Sequence, residues 1–236
     1  MRIIRKDKLI QLTTMPRLFP VNCYLVEEDD GVTLIDAALP FSAKGIKQAL
    51  KNEANKPLTR IILTHAHGDH VGALDQLKAE YPEATVFISS RDNRLLQGDA
   101  TLDIDEPQSR IRGDLPKGIT TKADVLLNDG DIVGSLRVIA SPGHTPGSIS
   151  LLDVRSGALI VGDAFQVRGG IAVSGMLSLR FPFPALATWN KELALYSAKR
   201  LADMKPSLLA VGHGEMIEHP VEVMTQAIVK ASNKML

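Results

Sequence analysis

A chain of 236 residues can build one substantial core, or two small ones packed closely together. Hydrophobic residues make up 44% and charged residues 23%, the balance of an ordinary soluble protein. Lysine plus arginine equals aspartate plus glutamate at 27 each, so no global field draws a polyanion and a dedicated nucleic-acid binder is not expected. The single cysteine, Cys23, excludes an intramolecular disulfide. No apolar run reaches the roughly 18 residues of a membrane span, and the charge-interrupted opening stretch does not read as a secretory signal. The expected compartment is the cytoplasm.

In chain order, residues 2–13 and 21–27 read as strands, with a turn around Met15-Pro16 and Phe19-Pro20 between them. Asp29-Asp30-Gly31 signals a hairpin into a strand over 32–35, which ends at Asp36. Ile46, Ala49 and Leu50 recur at helical spacing and predict a helix from about Ser42 to Asn52, with Ser42 as its N-cap. A strand over 60–63 delivers the loop Thr64-His65-Ala66-His67-Gly68-Asp69-His70. Val71, Leu74 and Leu77 predict a helix over 70–80. Val86 to Ile88 then forms a short strand, parallel to its predecessor because a helix intervenes.

From Arg91 to Lys122 the periodicity weakens, predicting a helix or two and a connecting excursion. Regular structure resumes at 125–127, followed by a turn at 128–131 and strands near 132–139, 147–153 and 159–161, the last ending at Asp163. A looser segment runs to about Pro184. A helix over 186–203 follows, with Leu186, Trp189, Leu193, Tyr196 and Leu201 among its apolar members. A strand over 208–211 leads to His213, and a helix from about Val221 closes the chain.

One order of elements recurs along the chain. Strand, glycine turn, strand ending in aspartate, helix and strand ending at a histidine run from before Asp36 to His65, and again from before Asp163 to His213. The pattern predicts one domain over 1–236 made of two β-rich halves divided near 118–124. The halves are expected to pack sheet against sheet with helices outside, as layered folds require. Both histidine-bearing loops would then open on one edge, where a functional site is expected.

The loop 64–70 packs three of the six histidines and one carboxylate into six residues. A lone loop histidine is ordinarily solvated or structural, but three with an aspartate are costly to bury together without a cation. On an extended segment His65, His67 and Asp69 project to one side. A helix starting at Asp69 or His70 would turn those two toward a second point, so one short loop can serve two metals. Nitrogen mixed with oxygen suits zinc and is acceptable to iron or manganese. His144 in Ser141-Pro142-Gly143-His144-Thr145-Pro146-Gly147, Asp163, and His213 in Gly212-His213-Gly214-Glu215 are further candidates, each past a strand and beside glycine. Cys23, inside a strand, reads as packing, and His219 as a surface or capping residue.

With Asp36 after its strand, THAHGDH at 64–70, SPGHTPGS around His144, GDA at 162–164 and GHG at 212–214, the chain resembles the metallo-β-lactamase fold superfamily. The motifs follow the family's order and cover nearly the whole chain. The resemblance implies an α/β fold, the four-layer αβ/βα sandwich of that family. It implies His65, His67 and His144 on one metal, Asp69, His70 and His213 on a second, and Asp163 bridging them. Asp36 is implied to support the metal-binding loop from behind. Two Zn2+ are expected, with iron or manganese as alternatives.

Departures narrow the branch. His67 stands where di-iron flavoproteins carry glutamate, and Asp163 where class B β-lactamases usually place cysteine or serine. Gln166 stands where acyl-homoserine lactonases usually carry tyrosine. The glyoxalase II branch adds a longer helical C-terminal domain, and the tRNA-processing branch a basic arm that is not evident here. The implied reaction is hydrolysis of a small ester, thioester or lactone by a metal-bridging hydroxide, with Asp69 as the catalytic proton acceptor. The alternatives are a mononuclear iron persulfide dioxygenase, a phosphodiesterase on the same fold, and a non-catalytic binder. The expected partner is a small-molecule substrate, with no nucleic acid and no membrane. The segment 165–189, rich in Phe165, Met176, Leu177, Leu179, Phe181, Phe183 and Trp189, reads either as an apolar pocket wall or lid, or as a core or homodimer contact. As a lid it would hinge at Gly169-Gly170 and offer Arg168 or Arg180 to an anionic group.

Overall fold

A computed structural model describes residues 1–235 and divides the chain into two compact units. The first holds Met1–Gly98 and Asp114–Leu127; the second holds Asp99–Gly113 and the chain from Asn128 onward.

The first unit is a seven-stranded sheet whose spatial order is its sequence order. Its strands are β1 (Arg2–Lys6), β2 (Leu9–Thr14), β3 (Val21–Glu27), β4 (Val32–Ile35), β5 (Leu58–Ile62), β6 (Thr85–Ser89) and β7 (Val125–Leu127). Strands β1 to β4 are antiparallel, and β4 to β7 are parallel. Each parallel step needs a crossover. Helix α1 (Ala43–Glu53), the pair α2 (Gly68–Val71) and α3 (Leu74–Glu80), and α4 (Ser90–Leu96) supply them.

Three expectations change here. The stretch 2–13 is a hairpin, not one strand, turning at Asp7-Lys8 with Asp7 in the left-handed region at φ 51°. Ser42 does not cap α1: its backbone is already helical and its hydroxyl lies 2.9 Å from Thr14 Oγ1. The helix expected over 70–80 is broken, because the His70 carbonyl accepts the Ala37 N–H at 2.6 Å and the Gly72 N–H donates to Ala38 at 2.8 Å. Those groups serve the loop after β4 and cannot continue the helical ladder.

The second unit contains β8 (Ile132–Val133), β9 (Leu136–Ala140), β10 (Ile149–Asp153), β11 (Ala158–Ile160), β12 (Phe165–Gln166), β13 (Ala172–Val173), β14 (Leu208–Ala210) and β15 (Ile217–Glu218). Six of them form a sheet in the order β15-β14-β11-β10-β9-β8, and β12 pairs with β13 separately. Helices α5 (Phe183–Ala187), α6 (Lys191–Asp203) and α7 (Val221–Met235) complete the unit. Small residues let the helices approach the core: Ala198, Ala202, Ala227 and Ala231 pack with Leu159, Phe165, Leu209 and Met224.

The strand expected over 132–139 is a hairpin turning at Gly134-Ser135. The helix expected over 186–203 is two helices, because Asn190 leaves the helical region and accepts the Leu193 N–H at 2.8 Å as the N-cap of α6. Its buried face is Ala194, Ser197, Ala198, Leu201 and Ala202, whereas Leu186 and Tyr196 are exposed. Only α4 forms within the stretch 91–122.

One connection pattern occurs in both units. β3 pairs antiparallel with β4, which pairs parallel with β5; β10 pairs antiparallel with β11, which pairs parallel with β14. The carboxyl ends of β4 and β5 lead to Asp36 and His65, and those of β11 and β14 to Asp163 and His213. Among the described residues no helix is long and apolar enough to cross a membrane.

Candidate metal centre

In the first unit the carboxyl ends of two adjacent parallel strands place Asp36 beside the loop 64–70, the usual position of ligand groups in parallel sheets. Asp36 adopts φ 61°, a left-handed conformation that aspartate tolerates better than most residues. The turn aims its carboxylate at the histidine loop. Oδ1 accepts the Thr64 N–H at 2.7 Å, and Oδ2 accepts the Thr64 hydroxyl at 2.8 Å. Oδ2 also lies 2.8 Å from His70 Nδ1.

These bonds fix two tautomers. A carboxylate can only accept, so the His70 proton sits on Nδ1. The Thr64 hydroxyl donates to Asp36, so at 3.1 Å its oxygen accepts from His65 Nδ1. Both imidazoles therefore present Nε2 as a lone-pair donor. The donor atoms of His65 lie within 4.8 Å of those of His67 and of His70, and the donor atom of Asp69 lies equally close to that of His70. The His65 ring stands edge-on to His67 at 4.9 Å and tilted to His70 at 4.1 Å. Helix α2 starts at Gly68, earlier than the expected Asp69 or His70.

Two contacts that sequence reasoning missed hold this loop. Asp92 Oδ2 accepts the Ala66 N–H at 2.9 Å from the first turn of α4, where Ser89 caps the Asp92 N–H at 3.1 Å. The pattern Ser89-x-x-Asp92 after a strand was a readable helix-start signal. The Gly68 N–H donates to the Asp114 carbonyl at 2.7 Å, and a Cβ at Gly68 would meet Asp114 Oδ2 at 2.6 Å.

In the second unit His144, Asp163 and His213 come together. Asp163 Oδ2 lies 3.4 Å from His144 Nε2 and 3.1 Å from His213 Nε2. A hydroxyl relay orients His144. The Thr188 hydroxyl donates to the Pro184 carbonyl at 2.6 Å, so its oxygen accepts from Ser174 at 2.8 Å. The Ser174 oxygen in turn accepts from His144 Nδ1 at 3.0 Å. The proton is again on Nδ1, and Nε2 faces Asp163. Neither Ser174 nor Thr188 carries a sequence signal; folding alone brings them to His144.

Backbone contacts set the two loops. The Trp189 and Asn190 N–H groups donate to the His144 and Gly143 carbonyls at 3.0 and 2.9 Å. Gly143 has φ 137°, and a Cβ there would lie 2.2 Å from Ala194 N. The His213 carbonyl accepts the N–H groups of Val167 and Arg168 at 2.9 and 3.2 Å. The Phe181 ring packs on the His213 imidazole at 5.2 Å.

The segment 165–189 is thus partly core. Phe165, Phe181 and Trp189 are buried, the last with its indole N–H donating to the Ser109 carbonyl at 2.8 Å, whereas Leu177, Leu179 and Phe183 are exposed. Gln166 is buried, its side-chain amide donating to the Gly170 carbonyl at 3.3 Å. His219 is exposed in a left-handed turn.

The first unit offers three imidazoles and one carboxylate and the second two imidazoles and one carboxylate, donors that suit zinc, iron or manganese. All seven except Asp69 are buried, and Asp69 is 21% exposed. Such a set is costly to bury without a cation, so the residues fit a metal. The one thiol takes no part: Cys23 is buried with Sγ donating to the Leu12 carbonyl, and burial, then the Asp36 charge, push its pKa up.

The sequence matches the family described as the Metallo-beta-lactamase superfamily over residues 16–213, a span that ends on His213 itself. The Bacillus subtilis protein YobT is 62% identical over 231 residues, covering 98% of this chain and 99% of its own. The probable metallo-hydrolase YflN of the same organism is 32% identical over 213 residues, covering 82% and 80%. Among solved structures, TTHA1623 in a di-iron-bound form superposes with a TM-score of 0.64 at 26% identity, covering 90% of this chain and 96% of that one. The chain belongs to the metallo-β-lactamase superfamily and is a metal-dependent hydrolase.

Proposed function

We propose that the two donor sets serve one two-metal centre, loaded with zinc, that hydrolyses a small ester, thioester or lactone. His65, His67 and His144 would hold one ion, Asp69, His70 and His213 the other, and Asp163 would bridge them. The observation that carries this reading is Asp163 Oδ2, which faces two histidine Nε2 atoms at 3.4 and 3.1 Å, a bridging carboxylate's arrangement.

When bound, the cations supply Lewis acidity and a water that ionises near neutral pH. The protein's own part is to keep each Nε2 unprotonated and aimed. Asp36 does so for His70 directly and for His65 through Thr64, and the Ser174–Thr188–Pro184 relay does so for His144. Asp69 is the donor with access to solvent, which suits a group that takes the proton of the attacking water. Cys23, the one cysteine, is too deeply buried to act as a nucleophile.

The test is a panel of lactones, thioesters, simple esters and a chromogenic phosphodiester, run on zinc-loaded and metal-stripped protein. Zinc-dependent turnover of an acyl substrate is expected. His67→Ala and Asp163→Ala should lower it at least about a hundredfold, since even residues that merely support metal ligands cost 10–100-fold. Turnover of the phosphodiester alone would favour a phosphodiesterase. The di-iron-bound form of TTHA1623 supports iron as an alternative metal, and a second reading is a mononuclear iron dioxygenase acting on a persulfide. One iron per purified chain with oxygen consumption would replace hydrolysis by that reaction.

A further inference from the structure

The second unit contains a pocket of about 360 Å³ beside α7 that none of the seven candidate ligands lines. That volume falls at the small end of the roughly 300–1,000 Å³ typical of small-molecule sites. On the helix side it is lined by Ala227, Lys230, Ala231 and Lys234, spaced three and four residues apart and so on one face of α7. The two alanines are buried in the core, so their short side chains leave a recess where larger ones would fill the space. The opposite side is the segment after Gly169-Gly170, with Ile171, Met176 and Leu177 supplying apolar surface and Arg180 a guanidinium.

Charge distinguishes this recess from an ordinary greasy groove. Arg180, Lys230 and Lys234 all line it, and no acidic residue does. Among the described residues none of the three cations has an ion pair or side-chain hydrogen bond. Elsewhere on the surface Arg60 pairs with Asp30, Lys47 with Glu80 and Arg200 with Asp129. Three exposed cations with no partner among the described residues, set around an apolar recess, are complementary to an aliphatic body carrying an anionic head.

We propose that this recess binds an aliphatic carboxylate, its chain over Ala227, Ala231 and Met176 and its head among Arg180, Lys230 and Lys234. Arginine and lysine give charge-assisted hydrogen bonds to a carboxylate, stronger than neutral ones, and burial of the chain adds to them. The site is separate from the proposed hydrolytic centre and does not depend on it. It nevertheless adjoins the structure around His213: Arg168, whose N–H bonds the His213 carbonyl, precedes Gly169, and Phe181, which packs on the imidazole, follows Arg180.

The probe is decanoate, titrated calorimetrically into the full chain with and without zinc. One decanoate per chain is expected, equally in both forms. Affinity should rise from hexanoate to decanoate, and decyltrimethylammonium should not bind. The triple variant Arg180→Glu, Lys230→Glu, Lys234→Glu should bind decanoate at least tenfold more weakly. All three side chains are exposed, so its thermal stability should stay close to the parent's; a neutral Arg180→Gln, Lys230→Gln, Lys234→Gln variant, expected to show a smaller loss, guards against misfolding. Absence of decanoate binding, equal binding of the cationic amphiphile, unchanged affinity in the Glu variant, or binding that requires zinc would each overturn the proposal. None of these results bears on whether the metal centre hydrolyses esters.

Discussion

His70 Nδ1 donates to Asp36 Oδ2 across 2.8 Å, with both side chains buried. The same oxygen accepts the Thr64 hydroxyl, and Oδ1 accepts the Thr64 N–H. In Asp36→Asn the amide oxygen must stay opposite that N–H, which places the NH2 group where Oδ2 was. A donor there pushes the His70 proton from Nδ1 to Nε2, the nitrogen that should hold the metal. Asp36→Asn should therefore lose zinc affinity by about 10–100-fold, at least as much as Asp36→Ala. Competition against a chromophoric chelator measures both; wild-type affinity in Asp36→Asn would refute the tautomer assignment.

The relay behind His144 predicts graded losses. Ser174→Ala removes the nearer acceptor of the Nδ1 proton, leaving Thr188 Oγ1 at 3.3 Å, and should weaken zinc binding by roughly tenfold. Thr188→Val leaves Ser174 in place and should cost less. Nitrogen-15 NMR of the histidine side chains should show His144 protonated at Nδ1 in the parent and a tautomer mixture in Ser174→Ala.

Two glycines with positive φ should differ sharply on substitution. Gly143→Ala drives a methyl to 2.2 Å from Ala194 N and holds alanine at φ 137°, for a loss of about 3 kcal/mol or more. Gly98 has φ 86° but nothing within 4 Å of a Cβ, so Gly98→Ala should cost only about 1–2 kcal/mol of backbone strain. Urea titrations of the two variants compare them directly; similar midpoints would show that the α6 contact relaxes easily.

Most of this architecture was legible from local pattern. Asp36, the loop 64–70, His144, Asp163 and His213 follow strands, and apolar runs ending at a polar residue are a signal that survives in sequence. What was not legible depended on distant partners. Nothing near Ser174 or Thr188 says that they meet His144, and nothing near His70 says that its carbonyl bonds Ala37 and so ends the helix. The strands read as continuous at 2–13 and 132–139 failed for a different reason. Their turns use Asp7-Lys8 and Gly134-Ser135, pairs too short to interrupt a hydrophobic pattern. The apolar list for 186–203 assumed one helix, and the Asn190 cap rotates α6 onto an alanine face.

Acid should destabilise the metal-stripped protein below about pH 4. Burial of Asp153 opposes its ionisation, but the Arg155 guanidinium and N–H outweigh it and hold the carboxyl below its ordinary range. Asp124 is held low first by the Val86 N–H and then, against desolvation, by Lys78. The unfolded chain binds these protons at a higher pH than the folded one. Their stabilisation is thus complete above the ordinary aspartate value of 3.8 and lost as pH falls through the lower folded values. Asp153→Asn should be less stable than the parent at pH 7 and converge on it between about pH 4 and pH 2 in chemical denaturation.

Metal removal should lower the melting temperature. A ligand that binds only the folded state at a hundredfold excess over Kd adds about 2.7 kcal/mol. Calorimetric scans with zinc, with chelator, and after zinc is restored should show a reversible shift that His67→Ala reduces.

The lone thiol gives the protein an internal clock. Cys23 lies inside β3, fully shielded, with its pKa pushed up by burial. A thiol reagent at neutral pH therefore finds almost no thiolate until the first unit's sheet comes apart. With reagent concentrated enough to outpace reclosing, the rate at which the native chain takes up such a label, read by intact mass, counts opening events at the sheet that carries Asp36, with no engineered probe. Run beside a zinc titration, it reports whether metal occupancy slows that opening.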